Sequence, residues 1–61
     1  MEMNTNEIIK KKILDSQEMV RDYKAYSGKV KDTEVADLFK TLSEECGYQA
    51  KKLQDILKER L

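Results

Sequence analysis

Leu42-Ser43-Glu44-Glu45-Cys46-Gly47-Tyr48-Gln49-Ala50-Lys51-Lys52-Leu53 decides how this chain folds. Leu42, Cys46, Gln49 and Leu53 recur at spacings of four, three and four, the period of one face of an α-helix. The pattern runs on in both directions as Val35, Phe39, Leu42, Cys46, Gln49, Leu53 and Ile56, flanked by Leu38, Ala50 and Leu57. Cys46 and Gln49 interrupt an otherwise apolar seam. Lys51, Lys52, Lys58 and Arg60 load the C-terminal half of this helix with the charge its dipole prefers.

Upstream, Ile9, Ile13, Ser16, Val20, Tyr23, Ser27 and Val30 form a second seam of the same period, with Met19 and Tyr26 widening it. Met1 to Met3 read as a frayed start. Asn4 followed by Glu7 has the spacing of an N-cap and a reciprocating acid, which starts helix 1 near Thr5. Gly28 is the expected stop, through the left-handed conformation open to glycine. Asp32 is the expected N-cap of helix 2, with Glu34 and Asp37 favourably placed in its first turns.

The expected domain is therefore a single helical hairpin over residues 1–61, with helix 1 at about 5–28, a turn at 29–32 and helix 2 at about 33–60. So short a link makes the helices antiparallel neighbours. Folding about residue 31 sets Tyr23 level with Phe39, Val20 with Leu42, Ser16 with Cys46, Ile13 with Gln49 and Ile9 with Leu53. Ser16, Cys46 and Gln49 then fall in one polar core layer. Burying such groups without partners costs on the order of 1–3 kcal/mol each.

With 61 residues, one core rarely supplies more than about 3–5 kcal/mol. One cysteine excludes an internal disulfide, and no Cys/His cluster offers a structural zinc site. Self-association remains, so the fold class expected is all-α, an antiparallel two-helix hairpin dimerising into a four-helix bundle. A two-helix hairpin buries one side of each helix, and Ile13, Leu14, Met19, Tyr26, Leu38, Tyr48 and Leu57 are the candidate dimer interface.

Charged residues make up 39% of the chain, 12 basic against 12 acidic, with no proline. A net charge of zero argues against a nucleic-acid partner, which needs a basic excess to displace counterions. No apolar run approaches the roughly 18 residues of a membrane span, and the N-terminus lacks a signal peptide's apolar core. A cytoplasmic location and no membrane partner are expected. Lys10, Lys11, Lys12, Lys51 and Lys52 make a basic band beside Asp15, Glu18, Glu44 and Glu45. The usual meaning of such runs is a solvated face; the functional alternatives are an anion site or guidance of pairing with a second hairpin.

The run Tyr23-Lys24-Ala25-Tyr26-Ser27-Gly28-Lys29-Val30-Lys31-Asp32-Thr33-Glu34-Val35-Ala36-Asp37-Leu38-Phe39-Lys40-Thr41-Leu42-Ser43-Glu44-Glu45, followed by Ala50-Lys51-Lys52-Leu53, resembles the helical hairpin of ferritin-like, rubrerythrin-type proteins. In that family two hairpins build a four-helix bundle around two irons, each hairpin supplying one glutamate from its first helix and Glu-x-x-His from its second. Carried over, the resemblance puts those ligands at Ser16, Cys46 and Gln49, and all three are replaced. Glu18 lies about 200° around the helix from Ser16, and Glu45 about 100° from Cys46, so neither substitutes.

The chain has no histidine, and a di-iron enzyme is not expected. No catalytic residue, metal ligand or cofactor is assigned. The function expected is a non-catalytic structural or protein-interaction module of ferritin-like character that has lost its metal site, with a homodimer as the first partner and another helical protein as the second. The alternative is a small thiol-based redox or metal-binding protein using Cys46 across a dimer interface. Against it, Glu44 and Glu45 disfavour a thiolate, and Cys46 is mid-helix.

Overall fold

A computed structural model describes residues 4–61, and the fraying expected of Met1 to Met3 lies outside them. The described residues form two α-helices, α1 (Thr5–Ser27) and α2 (Thr33–Arg60), packed along their lengths as an antiparallel hairpin, with no strand. The hairpin measures 43 × 24 × 11 Å. Its thickness is that of one helix layer.

Capping defines both starts. The Asn4 side-chain oxygen accepts from the Glu7 N–H at 2.8 Å. The Asp32 carboxylate accepts from the N–H groups of Glu34 at 2.9 Å and Val35 at 3.2 Å. These satisfy donors left without a carbonyl in a first helical turn.

The end of α1 differs from expectation. Gly28 has φ −82° and ψ −9°, ordinary right-handed backbone, and no described residue has a positive φ. The helix tightens instead. Gly28 N–H donates to the Ala25 carbonyl at 3.3 Å, and Lys29 N–H to that of Tyr26 at 2.9 Å, bonds three residues apart. Val30 N–H also donates to Tyr26 at 3.0 Å, and the Lys29 ammonium lies 5.6 Å from the centre of the Tyr26 ring.

The register between helices is fixed by three contacts. Near the turn, the Tyr23 and Phe39 rings meet edge to face, 5.4 Å between centroids. Further along, the Ser43 hydroxyl donates to the Val20 carbonyl at 3.0 Å. At the open end, Arg60 Nε donates to Asn6 Oδ1 at 2.8 Å.

The seam of α1 faces inward along its length: Ile9, Ile13, Ser16, Val20, Tyr23 and Ser27 are all buried or half-buried. The seam of α2 is turned from the one expected. Gln49 and Ile56 are exposed, whereas Ser43 and Ala50 are buried and Gly47 and Leu57 half-buried. The face presented to α1 is thus rotated by about 50° toward Ser43, Gly47 and Ala50. The reason is size. A side of α2 with small residues every three or four positions lets α1 approach closely, close enough for a side-chain hydroxyl to reach the opposite backbone.

The resulting core is thin. The most buried residues are Ala50 (6% exposed), Ser43 (7%), Ile13 (8%) and Ser16 (8%), and among the described residues no large side chain is fully buried.

Candidate functional site

One flank of the hairpin is a groove of about 330 Å³ running along the helix interface. From α1 it is lined by Lys12, Asp15, Ser16, Met19 and Tyr23, and from α2 by Leu42, Glu45, Cys46 and Gln49. Ser16, Cys46 and Gln49 therefore share one site, but as a graded series rather than a buried layer. Ser16 is buried, Cys46 half-buried and Gln49 exposed. The rotation of α2 causes this, since it carries Gln49 out of the interface and onto the groove wall.

Large apolar side chains continue the groove face in both directions. Ile8, Met19 and Tyr26 project from α1 and Leu38 and Ile56 from α2, each between 42% and 55% exposed. On the helical wheel the three of α1 lie about 80–100° from its inward direction and the two of α2 about 100° from theirs, on the same side of the hairpin. The face is apolar at its two ends and mixed in the middle, where Met19 stands among Asp15, Glu45 and Gln49.

Of the candidate interface residues, Met19, Tyr26 and Leu38 belong to this face. Ile13 is consumed inside the hairpin, and Leu57 is half-buried there. Leu14 and Tyr48 are exposed, yet they point about 140° and 180° from the inward directions of their helices, so they form no common patch. Ile8 and Ile56 belong to the face as well but lie outside the candidate interface set. The cue was available in the sequence, because Ile8, Met19 and Tyr26 repeat at spacings of eleven and seven, a helical period.

Charge in the groove is unevenly matched. Asp15 accepts Lys11 at 3.0 Å and Lys12 at 3.5 Å. The hydrogen bond from Lys11, reinforced by the charges of both lysines against a smaller opposing effect of burial, holds the Asp15 carboxyl below its usual value of 3.8. Glu45, on the opposite wall, has no ion-pair partner among the described residues.

The lysine band does not gather into a site. Successive residues step by about 100°, so Lys10, Lys11 and Lys12 encircle α1, and Lys51 and Lys52 diverge likewise on α2. Lys11 and Lys12 are engaged by Asp15, and Lys51 by Asp55 at 3.6 Å. Among the described residues no group of three or more His, Cys, Asp or Glu side chains is arranged to hold a metal ion, and no helix is long and apolar enough to cross a membrane.

The opposite flank differs in shape. It carries a notch at Gly47, bordered by Val20, Lys24, Lys40, Ser43 and Glu44.

No family model matches the chain, and neither the curated proteins nor the solved structures include a match to it.

Proposed function

We propose that this chain is a non-catalytic helical interaction module whose groove face docks a second helical pair, a copy of itself in the first instance, to complete a four-helix bundle. One observation carries the reading. Among the described residues no large side chain is fully buried, while five large apolar ones stand on a single face.

Covering a half-exposed side chain of this size is worth on the order of 1 kcal/mol. Two copies contribute ten such side chains, which is comparable with an association cost of about 4–15 kcal/mol. The rotation of α2 strengthens the case, because it trades large residues for small ones inside the hairpin and moves Ile56 to the groove face. On this reading the module keeps the helical pair of the ferritin-like hairpins it resembles, with Ser16, Cys46 and Gln49 in the groove in place of the family's ligands.

The test is a pair of substitutions. Leu38→Glu puts a charge on the groove face and is expected to leave a monomer of reduced helical content at concentrations where the unaltered chain is a dimer. Tyr48→Glu, on the outer face, is expected to leave the dimer intact. If neither changes the mass, or both do so equally, the groove face is not the docking surface.

A further inference from the structure

We propose that two copies dock centre to centre, so that Cys46 of each hairpin lies beside the partner's Cys46 at the middle of the bundle. The inference rests on the interaction reading above and adds its register, which holds whichever way the partner is turned.

The two apolar ends of the groove face stand at equal distances from one level. On α1 the midpoint between Ile8 and Tyr26 falls within about one residue of Ser16, and on α2 the midpoint between Leu38 and Ile56 falls within about one residue of Cys46. Ser16 and Cys46 both line the groove, and the contact of Tyr23 with Phe39 sets them level with each other. They mark the centre of the face.

Identical hairpins meet face to face about a two-fold axis that runs either along the helices or across them. An axis along the helices carries no translation along itself, so every level meets its own copy. An axis across the helices inverts the levels, and the apolar ends set its position. Placed at the level of Ser16 and Cys46, it brings Ile8 to the partner's Tyr26 and Leu38 to the partner's Ile56, each within about 3 Å in level. Displaced by one helical turn, it slides the hairpins past each other by about 11 Å and leaves an apolar end uncovered. Either axis therefore puts Cys46 within about 3 Å in level of its copy.

Direction agrees with level. Ser16 and Cys46 lie about 20° from the inward directions of their helices, on the groove side. The centre of a four-helix bundle lies about 45° around on that side, so both small side chains point close to it. At interaxial distances of about 8–10 Å the two Cys46 Cβ atoms come about 6–9 Å apart. The thiol is half-buried in the single hairpin, and docking covers its open side.

The chain has one cysteine, so the unaltered sequence carries the test. Reduced protein, at a concentration where sedimentation shows a dimer, is treated with a short bis-maleimide. A covalent dimer through Cys46 is expected. Leu38→Glu treated alike is expected to give severalfold less, and so is Tyr48→Cys in a Cys46→Ser background, whose thiol replaces an outer-face side chain that is 67% exposed. As an independent readout, alkylation of Cys46 by iodoacetamide is expected to slow severalfold as the protein is concentrated through its dimerisation range. No covalent product from a proven dimer, equal yields from Leu38→Glu or Tyr48→Cys, or alkylation indifferent to association overturns the register and leaves self-association standing. A chain that is monomeric at every concentration overturns the register together with self-association.

Discussion

The Ser43 hydroxyl donates a hydrogen bond of 3.0 Å to the Val20 carbonyl, joining the two helices side chain to backbone at mid-length. The contact rests on small residues on α2, which let a short side chain reach the backbone of α1. Ser43→Ala removes one hydrogen bond and gains helix propensity, and is expected to change stability by less than about 1 kcal/mol. Ser43→Leu forces the helices apart and is expected to cost about 1–3 kcal/mol. Urea unfolding of the two variants under identical concentration checks the contrast.

Gly47 sits in the middle of α2 with ordinary helical backbone. A Cβ added there meets only the Val20 Cγ2 at 4.0 Å, an ordinary van der Waals distance. Gly47→Ala is therefore expected to stabilise the protein by up to about 1 kcal/mol, the propensity difference within a helix. A rise in the melting temperature is the readout; a fall shows that the notch on that flank is tighter than its contacts indicate.

Asp15 supplies a pH dependence. Its folded carboxyl titrates below its usual value because Lys11 and Lys12 favour the charged form. A depressed folded value means that the contribution is present above the unfolded value and disappears as pH falls through the folded one. Stability is expected to decline below about pH 4, and Lys11→Gln is expected to raise the Asp15 midpoint. Carbon-detected NMR titration of the carboxyl follows it directly.

The hairpin was legible from the seams, the N-caps and the short link, and Tyr23 meets Phe39 as folding about residue 31 requires. The facing side of α2 was not. A seam traced through the largest apolar residues runs through Gln49 and Ile56, whereas the helices pack on Ser43, Gly47 and Ala50, whose contribution is close approach rather than apolar area. The groove follows from that difference. Periodicity sets Ser16, Cys46 and Gln49 at one level, and all three line the groove, but only the rotation of α2 tells which of them meets solvent. The glycine stop also misled, because Gly28 ends α1 through bonds three residues apart without leaving right-handed backbone.

The groove face is the centre of the account, and solution mass as a function of concentration tests it most directly. Sedimentation equilibrium on the reduced protein, from micromolar to millimolar, is predicted to show reversible association to about twice the 7.2 kDa of the single chain. The helical content is predicted to fall as the dimer dissociates, since the separated hairpin has so little core. A mass of 7.2 kDa at every concentration, with helicity unchanged, contradicts it.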